Sequence, residues 1–106
     1  MTWRPASESE VSAIVEQDLS DCTEAEREFF ERTRVVPFRR HQIARGALIE
    51  HVFAVAAWRD VVVFWEDVEE GFEVARVDSD GVIREYGASQ WEIRHAINHL
   101  LANGAS

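Results

Sequence analysis

Residues 34–87 form a block rich in Val, Ile, Phe and Trp, cut into short runs by turn residues, while the three clearest helix-start signals lie outside it. That segregation excludes alternating strand–helix–strand units. It calls for one contiguous sheet with helices before and after it. Ser7-x-x-Glu10, Thr23-x-x-Glu26 and Ser89-x-x-Glu92 each have the pattern of a capping box. In that arrangement a hydroxyl and a carboxylate satisfy backbone N–H groups left over at a helix start. Val11, Ile14, Val15 and Leu19 follow the first signal at helical spacing; Phe29, Phe30 and Thr33 follow the second. Ile93, Ala96, Ile97, Leu100 and Leu101 follow the third and form the cleanest amphipathic stripe, with Asn103-Gly104 as a stop.

Within the block, residues 35–43 predict a strand, and Pro37 assigns it to an edge. Leu48–Trp58 and Val61–Glu66 are apolar at nearly every position, as central strands are, and Arg59-Asp60 links them. Residues 72–77 and 82–86 flank Asp78-Ser79-Asp80-Gly81, a hairpin signal. The chain is 106 residues long, the size of one domain. The expectation is a single α+β domain over 1–106: two N-terminal helices, a five-stranded mainly antiparallel meander, and a C-terminal amphipathic helix packed on one sheet face. The other face is then left uncovered, and a homodimer through it is one expected way to bury it.

Several classes of protein are disfavoured. No apolar run reaches the roughly 18 residues of a membrane helix, and the start of the chain has no signal-type apolar core, so a cytoplasmic location is expected. The single Cys22 excludes an internal disulfide framework and a cysteine-based zinc site. Placed just before Thr23 it sits where a helix dipole lowers a thiol pKa, but a small buried hydrophobe is the preferred assignment. The net charge of −9 argues against direct nucleic-acid binding. All eleven basic residues are Arg, which reads as the coding bias of a GC-rich bacterium or as selection for bidentate anion contacts. Charge comes in blocks: acidic over 1–31, basic over 32–59, acidic again over 60–106. Compensation inside the fold is the preferred explanation.

The strongest candidate for function is the run Glu66, Asp67, Glu69, Glu70 and Glu73, bracketed by Trp65 and Phe72. Read as a strand-to-strand connection, it is expected to stand in water beside aromatic anchors. Such a surface steers and docks a basic protein partner. Trp91 joins the candidate contacts, because a helix beginning after Ser89 turns it away from the apolar stripe. Metal chemistry is not expected. Asp78 and Asp80 fit a calcium loop only if Arg76 and Gly87 hold positions that require carboxylates. His95 and His99 are four apart, but they face away from the stripe and no third ligand is in view. No cofactor loop or nucleophile motif is present. The favoured function is a small acidic, non-catalytic protein-binding domain, of an inhibitor, immunity or adaptor type. The alternative is an anionic-ligand protein or small enzyme using Arg39, Arg40, His41 and Tyr86 on the sheet, with His41, His51 and Glu50 available for acid–base work.

Overall fold

The computed structural model describes residues 5–103. The elements are α1 (Glu8–Leu19), α2 (Glu24–Thr33), β1 (Arg34–Arg45), β2 (Leu48–Trp58), β3 (Val61–Glu66), β4 (Gly71–Arg76), β5 (Val82–Ile83) and α3 (Ile93–Ala102). It is an α+β fold. No described helix is long and apolar enough to cross a membrane.

The first two helix starts form as their sequences dictate. The Glu10 N–H donates to Ser7 Oγ and the Ser7 N–H to Glu10 Oε1, both at 3.2 Å. Thr23 and Glu26 repeat the exchange at 3.2 and 2.7 Å. The third start does not form at Ser89. There the backbone is still pairing with the sheet: the Phe72 N–H donates to the Trp91 carbonyl at 2.8 Å and the Trp91 N–H returns the bond at 3.2 Å. Gln90, at φ 53°, turns the chain into that pairing. The helix therefore begins after Trp91. Glu92 becomes its N-cap, and its N–H donates to His95 Nδ1 at 3.2 Å. Asp18 of α1 supplies a further acceptor, taking the Ile93 N–H at 3.1 Å.

The sheet order is β4-β3-β2-β1-β5. The first three neighbours pair antiparallel, whereas β5 runs parallel to β1 at Gln42–Val82 and Ile43–Ile83. The sheet is thus mixed, and the meander ends at β4. The 78–81 turn does reverse the chain, with the Asp78 carboxylate accepting from the Asp80 and Val82 N–H groups at 2.9 Å. After a single antiparallel bridge, Val77–Ile83, the chain leaves β4 and lies along β1. Val77 continues β4, so this bridge joins the two outer strands and curls the sheet toward closure. β1 is consequently not an edge along its whole length. Pro37 is tolerated because it falls between Arg34 and Arg39, where the β1–β2 register slips and β5 does not reach.

The curl gives the sheet two apolar faces. The convex side, with Val55, Val63 and Phe72, packs against Val11 and Val15 of α1, Phe29 and Phe30 of α2, and Ile93 and Ile97 of α3. The concave side gathers Ile43, Val52, Ala54, Val62, Phe64, Ala75 and Ile83 against one another. Hence β2 and β3 read as apolar at nearly every position. The second face is filled by its own side chains.

Gly71 marks the tightest approach. A Cβ there would lie 2.4 Å from the Gln90 Cα and 2.6 Å from the Gln90 carbonyl carbon. Both are backbone atoms, which cannot swing aside. Gly71→Ala is expected to push the 90–91 segment off β4, at a cost of about 1–3 kcal/mol. Hydrogen exchange checks this: the Phe72 and Trp91 amides should lose protection while α1 keeps it. Unchanged protection at Trp91 would show that the approach is looser than described.

Candidate functional site

Two acids of the run, Glu66 and Glu73, do not stand in water as its composition suggests. Glu66 is 1% exposed, Glu73 3% and Phe72 1%. The cause is strand alternation. Glu66 ends β3 on the side of Phe64, and Glu73 lies in β4 on the side of Ala75, so both carboxylates point into the concave core. Glu66 is gripped by both terminal nitrogens of Arg45, one at 3.1 Å and the other (Nη2 on Oε1) closer, and also accepts the Val68 N–H at 3.3 Å. Glu73 accepts the Ser89 N–H at 2.8 Å. Phe72 packs in the helix-side core, and the half-buried Trp65 meets it edge to face with centroids 5.1 Å apart.

Arg45 organises this end of the sheet. Its Nε lies 3.2 Å from Glu50, and its guanidinium lies over the Tyr86 ring at 5.6 Å. Tyr86 in turn donates its hydroxyl to the Ala44 carbonyl at 3.1 Å. Hydrogen bonding to Glu66 pushes the Arg45 pKa further up from its already high value. The pair ties the β1–β2 turn to the β3–β4 turn. Leu48 and Ile49, which open β2, and Val68, on the β3–β4 turn, are 65%, 50% and 56% exposed. Glu70 is exposed beside Val68, and the half-buried Glu69 takes the Gln90 side-chain amide on its carbonyl at 3.0 Å. The sequence reading missed the three aliphatic residues. The signal for Leu48 and Ile49 is Ala-Leu-Ile directly after the Arg45-Gly46 turn, and that for Val68 is an aliphatic residue inside the acidic run.

Asp67 is half-buried and accepts the Ala6 N–H at 2.8 Å. Burial raises its pKa above the ordinary carboxylate value, and the bond from Ala6 only partly opposes this. A raised native pKa means that the folded state holds the proton more firmly than the unfolded chain. This group's contribution to stability therefore falls as pH rises from the ordinary carboxylate value through the native one. Asp67→Asn removes that loss. The variant is expected to be the more stable protein at neutral pH, with the difference vanishing in acid below the ordinary carboxylate value. Urea midpoints measured across that range check it, and a wild-type advantage at neutral pH would reverse the sign.

Trp91 is not a helical residue facing solvent. It is half-buried in the bridge to Phe72, packs against the helix-side core, and lies 5.0 Å from the ring of His99. His95 and His99 are both exposed, and His95 is engaged at the helix start. Among the described residues no group of three or more His, Cys, Asp or Glu is placed to hold a metal. Asp78 is committed to its turn and to Arg84 Nε at 2.5 Å; the Val82 N–H, then Arg84, hold its pKa below the usual value. Cys22 is buried, its thiol pKa pushed up by that burial, and its Sγ lies 3.6 Å from the Asp18 carbonyl.

The alternative sheet site does not assemble. Arg39 and Arg40 are consecutive strand residues on opposite faces, both exposed. His41 faces inward with Ile43, and its Nε2 is buried without a hydrogen-bond partner among the described residues. Tyr86 sits at Arg45, about 20 Å along β1 from Arg39 at the rise of an extended strand. His51 and Glu50 likewise point to opposite faces of β2. The basic block is compensated in part: Arg34 reaches Glu16 and Glu31, and Arg45 reaches Glu66.

At the opposite end of the sheet a cleft of about 690 Å³ opens between β4, the 78–85 segment and the end of α3. Trp58 and Leu100 line it, as do the paired Arg76–Asp60 and Arg84–Asp78. Its walls come from segments far apart in the chain, so no local motif announces it. No protein-family model, curated protein or solved structure matches this chain.

Proposed function

We propose that the chain is a non-catalytic protein-binding domain that docks a basic partner through the end of the sheet where the β1–β2 and β3–β4 turns meet. The observation that carries this is the exposure of Leu48 and Ile49 at the start of β2 and of Val68 on the β3–β4 turn, two segments latched together by Arg45 and Glu66. Aliphatic tips held on a rigid base are suited to a desolvated contact centre. Glu70, Glu69 and the chain's net charge of −9 favour a cationic surface around it. This moves the docking role from the acids themselves to their neighbours: Glu66 and Glu73 build the platform, while Glu69 and Glu70 steer. An inhibitor or adaptor of a cationic protein is the role that such a surface suits.

Affinity capture with immobilised wild type and with a Leu48→Asp/Val68→Asp variant tests the reading. The wild type should retain a basic protein at low salt and release it as salt rises through the range where the Debye length shrinks below about 8 Å. The variant should retain at most about a tenth as much, the effect of losing a central anchor. Capture that is indifferent to salt, or equal with the variant, defeats the proposal.

A further inference from the structure

We propose that the free edge of β2 over residues 48–51 takes an extended basic segment of the partner as an added strand; this rests on the docking role proposed above and says how the partner binds. β1 and β2 form a two-residue hairpin, with Arg45 and Leu48 paired on either side of Gly46-Ala47. Gly46, at φ 61°, supplies the left-handed residue that such a turn needs. Arg45 and Leu48 therefore exchange both of their backbone hydrogen bonds, and the pairs beyond them alternate. Ala44–Ile49 and Gln42–His51 are pairs without mutual bonds, so these residues turn N–H and C=O away from the hairpin. On the β1 side that edge is used, because Gln42 is where β5 joins. On the β2 side the ladder to β3 starts only at Ala54–Phe64, and β3 turns off toward β4 after Glu66. No backbone bond from Ile49 or His51 to a residue outside the hairpin is present among the described residues. Both residues are exposed.

An unpaired strand edge is a template for another chain, and main-chain hydrogen bonds supply the affinity when a segment adds to it. The side chains of the added strand alternate between the two faces. One set lies beside Ile49 and His51, on the face of the half-buried Phe53. The other lies beside Leu48 and Glu50, on the face that Glu66 shares. Residues 45–51 and the adjoining 66–70 segment carry Arg45 against Glu50, Glu66, Asp67, Glu69 and Glu70. Arg40 lies further along, opposite Phe53. Even with Arg40 counted, five carboxylates stand against two guanidiniums. The occupant is therefore a segment in which Lys or Arg alternates with aliphatic residues, its cations on the Glu50 face. A second copy of this chain brings the same excess of acid. Its two-fold pairing through Ile49 and His51 would set Glu50 against Glu50, and like charges directly opposite are destabilising.

The test uses the full chain, labelled with nitrogen-15, and the capped pentapeptide Lys-Val-Lys-Val-Lys. At millimolar peptide the Ile49 and His51 amides should shift and exchange more slowly, while Leu48 and Glu50, already bonded within the hairpin, keep their rates. The same peptide with Glu for Lys should bind at least about tenfold more weakly. His51→Pro removes an outward N–H but no β1–β2 ladder bond, and edge positions tolerate Pro. It should weaken binding by about tenfold, the worth of one lost backbone hydrogen bond. Methylating the Val amides of the peptide and methylating its Lys amides should have opposite outcomes, one abolishing binding and the other sparing it, because only one alternate set faces the edge. That contrast keeps the test decisive if the Pro variant does not fold. The idea is overturned if the Lys peptide leaves both amides unmoved, if both methylated peptides bind as well as their parent, or if the Glu peptide binds as tightly as the Lys peptide. Protection of Ile49 and His51 that rises with the concentration of the protein alone would make the occupant a second copy, and overturns it too. Equal capture of a basic protein by wild type and His51→Pro overturns strand addition and leaves docking at Leu48 and Val68 in place. Strand addition by the Lys peptide with no basic protein captured does the reverse.

Discussion

Arg45→Ala is expected to destabilise the fold by about 3–5 kcal/mol. The Glu66 side chain is 2% exposed, and without the guanidinium its carboxylate is left ionised and unpaired in the concave core, or must take up a proton there. The same change takes the cation off the Tyr86 ring and unlatches the two turns from each other. Set against a total stability of about 5–15 kcal/mol for a domain of this kind, that is a large share. The pair itself is a different matter. Desolvating both ions offsets most of their attraction, so replacing both by apolar residues of similar size, Arg45→Met with Glu66→Leu, should leave stability close to the wild type or above it. Urea unfolding of the three proteins separates the cases. An Arg45→Ala midpoint near that of wild type would mean that water reaches Glu66 and that the pair is not sealed. Capture of the basic partner then reports on function. The single variant should lose it with the platform, and the apolar pair should retain it, because Leu48 and Val68 are still held at the same end.

Features decided by neighbouring residues were legible in the sequence. The Ser7 and Thr23 boxes, the bounds of β2 and β3, the apolar stripe of α3 and the outward placement of His95 and His99 follow from contacts within a turn or from strand periodicity. What failed depends on partners distant in the chain. Ser89 has the same local pattern as Ser7, but its N–H is taken by Glu73 and the next residues are held by Phe72. The closing of the sheet depends on Val82 and Ile83 meeting β1, about forty residues earlier. The acids were misplaced for a more instructive reason. Composition made 66–73 a loop, whereas alternation alone, continued from Phe64 to Glu66 and back from Ala75 to Glu73, places both carboxylates on the inner face. Such a reading needs a cation on the same face, and Arg45, two residues beyond Ile43, meets that condition. The cleft had no comparable signal.

Phe64→Ala should cost about 3–5 kcal/mol, and the helices should be lost in the same transition as the sheet. Phe64 is fully buried inside the curl, where none of the three helices contributes to the core it joins. Its effect on the helices must travel through the sheet. Val63, the preceding residue, points the other way into the helix-side core with Phe29 and Phe30, so the β3 backbone is a wall common to both cores. A cavity on one side lets that wall shift, and the packing on the other side shifts with it. Phe30→Ala, the matching change in the helix layer, is expected to have the same size and the same single transition. Far-UV circular dichroism follows the helices, and tryptophan fluorescence follows the tertiary packing around the chain's four tryptophans, Trp58, Trp65 and Trp91 among them. Coincident midpoints by the two probes in both variants are the expected result. If Phe64→Ala instead leaves the helical signal standing after the fluorescence has changed, the two layers are separable. The turns proposed to dock a partner would then sit on a sheet that opens without unfolding α1 and α2.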